Sequence, residues 1–395
     1  MSKTFSISKI LPVLFGFFIM GFCDLVGIST SFAAAEYELS DPVANFLPSM
    51  VFLWFLIFSI PTGVLMNKLG RKRTVTMSMV ITLAAMLLLV IPNSAVICYL
   101  SFALLGIGNT ILQVSLNPLL TNVVRGDKLA SSLTAGQFIK ALSSFCGPII
   151  AGWAAVSMGS WHYMFPIFAA ITVLSTLWLM LTPIEEELQM GKATSFGAAF
   201  GLLRNSTMLL FFLGILFVVG VDVGMNTATP KVLVERCGLA ISEAGWGTSM
   251  YFLFRTAGAF VGAFVLAKFS EKKFFVISMI AAVLAMLDLL LFAQNQIHIL
   301  SMVAVIGFSM ANIFSIIFSL ALRHVPGKAN EVSGLMVMGV SGGAIIPPIM
   351  GFLTNVLGSQ SGSMLTILAC MAYLLVCSLV VRGRKMKKCI SMELP

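Results

Sequence analysis

The sequence predicts an all-α membrane protein whose twelve transmembrane helices form two pseudo-symmetric six-helix bundles, and three features of its 395 residues carry that expectation. Residues of the AVILMFWYC set make up 59% of the chain, charged residues only 10%, and mean hydropathy is +1.02. A soluble domain runs nearer half apolar and a quarter charged. The basic residues gather on one side of the apolar runs, and the second half repeats the polar landmarks of the first. This hydropathy excludes a soluble globular enzyme, a disordered chain and a collagen.

A bilayer-spanning helix needs about 20 apolar residues, so twelve need roughly 240 and leave about 155 for turns, a linker and two tails. Apolar runs separated by short polar turns place spans near 10–33, 43–67, 74–92, 95–122, 130–157, 162–183, 206–232, 243–269, 274–294, 297–322, 331–357 and 362–381. The 33 glycines and 14 prolines are compatible with such spans, because neighbouring helices re-satisfy the backbone. The first run carries Asp24 and lacks a small-residue cleavage site, so it is expected to stay as a span. The seven cysteines lie mostly in apolar runs without metal-ligand spacing and read as small core residues.

Twelve spans put both chain ends on one side. Twenty of the 24 Lys and Arg fall on that side, among them Lys3, Lys68, Arg71, Lys72, Arg73, Arg125, Lys192, Lys268, Arg323 and the tail cluster Arg382, Arg384, Lys385, Lys387 and Lys388. Lys140 and Arg255 fall inside spans, and Lys231 and Arg236 on the opposite side. The net charge of +9 is therefore a topology signal and not a nucleic-acid patch. It places both termini in the cytoplasm and the protein, multi-pass, in a plasma membrane, with a bacterial inner membrane expected.

Ser49-Met50-Val51-Phe52-Leu53-Trp54, opening span two, returns as Ser249-Met250-Tyr251-Phe252-Leu253-Phe254 in span eight, at an offset of 200 residues. The basic turn Lys68 to Arg73 returns at the same offset around Lys268 to Lys273. Gly21-Phe22-Cys23-Asp24 in span one answers Val219-Gly220-Val221-Asp222 in span seven, and Gly147-Pro148 to Gly152 in span five answers Ile346-Pro347 to Gly351 in span eleven. Six spans used twice divide the chain into an N-terminal bundle (1–183), a cytoplasmic linker (184–205) and a C-terminal bundle with a short basic tail (206–395). The linker's Glu185, Glu186, Glu187, Lys192 and Arg204 demand water.

Parallel six-helix halves around a mid-membrane solute site are the plan of major facilitator superfamily transporters, and the sequence resembles that superfamily over its whole length. Gly63-Val64-Leu65-Met66-Asn67-Lys68-Leu69-Gly70-Arg71-Lys72 resembles its signature loop between spans two and three. Glycines there permit close helix approach and a tight turn, and the basic residues hold the cytoplasmic face. The superfamily usually has an aspartate where this chain has Asn67. A narrower resemblance, carried by Leu112-Gln113-Val114-Ser115-Leu116-Asn117-Pro118-Leu119-Leu120-Thr121 in span four with Gly136-Gln137 in span five, is to the fucose/galactose/glucose proton symporter family. The position matching Gln113 is a protonatable glutamate in its fucose branch and often glutamine in hexose branches. The family also has an Asn-Asp pair late in span one, where Asp24 here follows Cys23. This resemblance implies a neutral sugar as cargo.

Charge at mid-membrane is costly, so ionisable residues there are functional candidates, normally paired and facing the bundle interior. At about 1.5 Å per residue, Asp24 lies ~21 Å along span one and Lys140 ~15 Å into span five, while Asp222 lies ~24 Å along span seven and Arg255 ~21 Å from the inner end of span eight. Asp24 with Lys140, and Asp222 with Arg255, are therefore matched in depth. The two aspartates are the proton-coupling candidates and the two cations their charge partners, the alternative being permanent ion pairs that hold helices together. Asp288, near the outer end of span nine, is expected to snorkel towards water.

Asn109, Gln113 and Asn117 stack on one face of span four, Gln137, Lys140 and Ser144 on one stripe of span five, and Asp222, Asn226 and Thr229 on one stripe of span seven. Amides, hydroxyls and carboxylates in a dry wall suit sugar hydroxyls, which both donate and accept. Asn109, Gln113, Asn117, Gln137 and Asn226 are thus substrate-binding candidates, and Trp54, deep in span two, is placed to stack on a sugar ring.

The expected function is a secondary active transporter that imports a hexose or related monosaccharide by proton symport, working as a monomer in the bilayer without cofactor or metal. Rival readings are a transporter of sugar acids, held by Lys140 and Arg255, and an exporter or antiporter of amphipathic compounds, for which 25 Met and 32 Phe supply adaptable walls. No G-x-x-x-x-G-K-[ST] loop points to ATP. His162, His298 and His324 lie scattered near span ends, without the convergent set an enzyme needs.

Overall fold

A computed structural model describes residues 7–39, 46–90, 94–124, 128–186, 196–239, 244 and 246–383. Lys3, Arg125, Glu187, Lys192, Arg384, Lys385, Lys387 and Lys388 lie outside the described residues. In chain order the helices are α1 (Ile7–Met20), α2 (Leu25–Glu36), α3 (Phe46–Leu69), α4 (Arg71–Leu88), α5 (Ala95–Val123), α6 (Leu129–Ser157), α7 (Met164–Leu181), α8 (Phe196–Gly201), α9 (Ser206–Cys237), α10 (Trp246–Val265), α11 (Glu271–Leu291), α12 (Gln296–Met310), α13 (Ile313–His324), α14 (Ala329–Met338), α15 (Gly342–Leu357) and α16 (Ser361–Gly383). Among the described residues, ten helical runs are long and apolar enough to cross a membrane. The broken run α1–α2, and α4 with its basic head Arg71, Lys72 and Arg73, complete the order of twelve spans. The short α8 lies in the linker and packs against α3 and α14.

Each bundle has its own aromatic core, with Phe17, Phe22, Phe102, Phe165 and Phe168 fully buried in the first and Phe211, Tyr251, Phe275 and Phe318 in the second. Large apolar side chains such as Leu56, Val96, Leu174, Phe264 and Ile277 are exposed, as a surface solvated by lipid requires. The sequence repeat is also a repeat of helix crossings. A Cβ on Gly106 of α5 would strike the Val51 carbonyl of α3, and one on Gly307 of α12 would strike the Tyr251 carbonyl of α10, the matching residue 200 positions on.

Three spans break at mid-depth, which the apolar pattern does not reveal. One turn of 3-10 helix over Gly21–Asp24 joins α1 to α2, Ala311 and Asn312 part α12 from α13, and a 3-10 turn over Gly339–Ser341 joins α14 to α15. Side chains take up carbonyls beside the breaks: Asn109 Nδ2 donates to the Met20 carbonyl at 2.7 Å. At the break, Gly21 sits so close to Ser143 and the Lys140 carbonyl that a Cβ would lie 2.7 Å from each.

The two bundles meet on the side of the chain termini, where α14 packs on α3 and α5, and α6 packs on α10 and α13. The contacts are close. A Cβ on Gly63 would lie 2.9 Å from the Asn330 carbonyl, and one on Gly334 2.7 Å from the Ser59 carbonyl. Ser131 Oγ donates to the Ala263 carbonyl and Ser333 Oγ to the Val114 carbonyl, both at 2.5 Å. The rings of Phe138 and Phe260 stand 5.2 Å apart. The outer halves α2 and α15 pack within their own bundles instead. Among the described residues the bundles therefore close on the termini side, and the outer halves α2 and α15 do not take part in the closure.

Gly63→Val tests this closure. Overpacking costs about 1–3 kcal/mol, which shifts a two-state balance roughly 5- to 150-fold. A cysteine introduced at Ser131 should then be labelled faster from the termini side; unchanged labelling would mean that the glycine does not hold the bundles shut.

Candidate functional site

Asp24 closes the 3-10 turn between α1 and α2. Ser144 Oγ donates to its Oδ2 at 2.5 Å, and Lys140 Nζ stands 3.8 Å from the same oxygen. Lys140 and Ser144 are one turn apart on α6, so the stripe read from the sequence delivers both to one carboxylate. The side chains of Asp24 and Lys140 nonetheless remain 36% and 23% exposed at mid-span. Both groups therefore stay partly open although they lie mid-span.

In the other bundle, Arg255 Nη2 lies 2.5 Å from Asp222 Oδ2, and the Tyr251 hydroxyl donates to Asp222 Oδ1 at 2.6 Å. Tyr251 and Arg255 occupy successive turns of α10, and together they occupy both oxygens of a carboxylate that is only 12% exposed. Charge-assisted bonds of this length are the strong kind. Tyr251 escaped the sequence reading because an aromatic in an apolar run looks like core; its only signal was that it stands where the repeat has Val51.

The three amides of span four do not share one environment. Asn109 is 1% exposed with its N–H spent on Met20, and Asn117 is fully buried and donates to the Gln113 carbonyl at 2.9 Å. Backbone carbonyls accept from both amide N–H groups, while the Asn109 and Asn117 Oδ1 atoms are buried without a partner. Gln113 is 6% exposed. Gln137 is half-buried on the α6 stripe, one turn before Lys140, and Asn226 is half-buried one turn beyond Asp222 on α9, its backbone carbonyl accepting from Thr248 at 3.0 Å. Trp54 lies over Gly106 of α5 and edge-on to Phe58 at 5.6 Å, with its indole N–H buried and unpartnered. Asp288, expected to reach for water, pairs with His298 at 2.5 Å while staying 34% exposed. Among the described residues no three His, Cys, Asp or Glu gather to hold a metal, and Cys98 and Cys237 are free thiols.

The signature loop bolts the termini side. Gly70 has φ +86°, a conformation that excludes side chains, and opens α4. Arg71 caps the end of α5 through the Pro118 carbonyl (3.2 Å), Thr121 (3.1 Å) and Asn122 (2.5 Å), and crosses to Asn330 on α14 at 2.7 Å. Lys72 Nζ caps α7 at the Met180 and Thr182 carbonyls. Asn67 accepts from Asn330 Nδ2 at 2.6 Å and donates to Glu331 Oε1 at 3.2 Å. An amide does both; a carboxylate here would face Glu331 with no proton to offer. The presence of an asparagine at this position thus has a local reason in Glu331, which is 2% exposed. The equivalent place in the second bundle is held by an ion pair between Arg323 and Glu271.

Comparison with known proteins agrees with this architecture. The family profile described as Major Facilitator Superfamily matches residues 12–240 and again 210–393. A glucose/galactose transporter of Brucella abortus is 26% identical over 339 residues, covering 81% of each chain. The crystal structure of the fucose:proton symporter FucP of E. coli superposes with a TM-score of 0.83 at 18% identity, covering 94% of this chain and 98% of that one. A second FucP structure, in the outward conformation, gives 0.81 at 19% identity with 94% and 99% covered.

Proposed function

Since the chain belongs to the major facilitator superfamily, we propose that it imports a hexose or related monosaccharide together with a proton by alternating access. Residues 1–183 and 206–395 act as the two rocking units, 184–205 as the linker between them, with both termini in the cytoplasm of a bacterial cell and a single chain as the working unit. In that topology the state described above faces outward: the cytoplasmic side is bolted and the cleft opens to the outside.

The unequal setting of the two aspartates carries the reading. Asp222 has both oxygens held by Arg255 and Tyr251 and is a brace. Asp24 is open to the cleft, accepts from the Ser144 hydroxyl on one oxygen and from the weak Cys23 thiol donor on the other, and its cation stands beyond hydrogen-bond reach at 3.8 Å. A carboxylate so placed takes a proton from outside. When rocking brings a cation closer, the ionised form is favoured and the proton leaves inward. Names of related sugar transporters and of the fucose:proton symporter support the cargo and the ion. The test is uptake of labelled hexoses into vesicles with and without an imposed proton gradient. Accumulation that vanishes when the gradient is collapsed is expected; accumulation indifferent to it would end the symport reading.

Gln113, Gln137 and Asn226 are the amides proposed to meet sugar hydroxyls. Losing one hydrogen bond costs ~0.5–1.5 kcal/mol, so Gln113→Ala should weaken sugar binding roughly 2- to 13-fold. Gln294→Ala, in an exposed outer turn, should leave it unchanged. Equal binding by the two variants would make Gln113 a packing residue. A second reading, a sugar acid as cargo, draws on the Arg255 Nε, which is buried without a partner; competition by a hexuronate against hexose uptake would favour it.

A further inference from the structure

At the face opposite the termini, the two bundles anchor equivalent carbonyls by different chemistry. In the second bundle Arg236, in the last turn of α9, donates to the carbonyls of Leu289, Leu290 and Ala293 at 2.6, 3.0 and 2.8 Å. Two hundred residues earlier in the repeat, the Leu89 carbonyl at the end of α4 meets an imidazole instead: His162 Nδ1 stands 2.7 Å from it. The other ring nitrogen, Nε2, faces the Glu36 carboxylate at the end of α2, 3.0 and 3.2 Å from its two oxygens. The histidine is 5% exposed, so water does not replace either partner freely.

A carbonyl and a carboxylate only accept hydrogen bonds. Both contacts therefore form together only when each ring nitrogen carries a proton. A neutral imidazole makes one and leaves a lone pair facing oxygen at the other. The permanent guanidinium of Arg236 has no such choice.

We propose that His162 and Glu36 are positioning residues for the mouth of the transport cleft, forming a proton-operated brace that fastens the outer half of span one to α4 and to the start of span six. The proposal rests on the outward-facing reading above, which puts this face outside. Only α2 and the 3-10 turn at Gly21–Asp24 separate the brace from the carboxylate at the cleft, so the brace governs a segment that can hinge. Imidazole changes charge between about pH 5 and 8. With a proton on each ring nitrogen the brace is complete; when one is lost, one arm opens and α2 is released. The acid exterior that loads a symporter would also hold its mouth open.

Other groups near the ring do not replace this switch. Trp161 Nε1 donates to Glu36 Oε2 at 2.5 Å and its ring stacks on Phe32, contacts that do not depend on the charge of the imidazole. Tyr37, which follows α2, Cys98 on α5 and Tyr163, next in the chain, are the nearby phenol and thiol groups, and burial pushes the Tyr37 hydroxyl up to about 12. From α4 comes a backbone carbonyl.

The Trp161 and His162 rings lie 4.2 Å apart, close enough for an imidazolium to quench the indole. Fluorescence of the purified full chain between pH 5 and 8 is therefore expected to show a step that His162→Gln abolishes. Glu36→Gln, at a partly exposed position, should move the step to lower pH, because the imidazolium loses its carboxylate partner. A flat wild-type profile, a step that survives His162→Gln, or a midpoint unmoved by Glu36→Gln overturns the brace. No solute is transported in this assay, so its failure stays distinct from failure of the symport reading, which vesicle uptake decides.

Discussion

With Asp24 replaced by Asn, vesicles are expected to exchange sugar across the membrane but never to concentrate it. The amide keeps the shape of the protonated acid and the bond from Ser144, so the sugar-loaded cleft can still form. It carries no proton, and the step driven by the gradient disappears. One charge moving through 100 mV supplies ~2.3 kcal/mol, about a 50-fold concentration ratio at most. The variant should fall from that ceiling to no gradient at all, while counterflow with sugar on both sides continues at a substantial fraction of the wild-type rate. Lys140, 23% exposed, keeps water as a partner after the change, so loss of folding is not the expected outcome. Accumulation at the wild-type level would remove Asp24 from the coupling step, and loss of counterflow as well would make it a binding residue.

Much of this was legible in the sequence because membrane helices obey a one-dimensional rule. Length, hydropathy and the side chosen by lysines and arginines set the spans; equal depth then paired Asp24 with Lys140 and Asp222 with Arg255, and both pairs meet. Hydropathy is blind to where a helix breaks, since Gly21 to Asp24 and Gly339 to Ser341 are as apolar as their neighbours apart from one acid and one serine. Without the break, nothing announces that the Met20 carbonyl takes the Asn109 N–H. Closure between bundles was hidden for a related reason. Asn330 and Glu331 stand where span eleven begins, and their partners Asn67 and Arg71 lie some 260 residues away in sequence. Periodicity reports which face of a helix is polar but not which distant helix covers it.

The second bundle should respond to mutation in its stability where the first responds in its coupling. Arg255→Met strands the carboxylate of Asp222, 12% exposed, with Tyr251 as its remaining donor. Breaking one partner of such a pair costs about 3–5 kcal/mol, whereas replacing both by neutral groups is often close to neutral. Asp222→Asn alone should also destabilise, since it leaves a guanidinium whose Nε already lacks a partner. Tyr251→Phe, which removes one bond to a charged acceptor, should cost ~1.5–3 kcal/mol. The double variant Asp222→Asn with Arg255→Met is therefore expected to regain most of the thermal stability lost by either single change, and to accumulate sugar under a proton gradient. Thermal unfolding and vesicle uptake of the same preparations separate the two roles. If the double variant unfolds like wild type but no longer concentrates sugar, Asp222 is a second proton carrier and the division of labour between the aspartates is wrong; if it concentrates sugar normally, the proton path runs through span one alone.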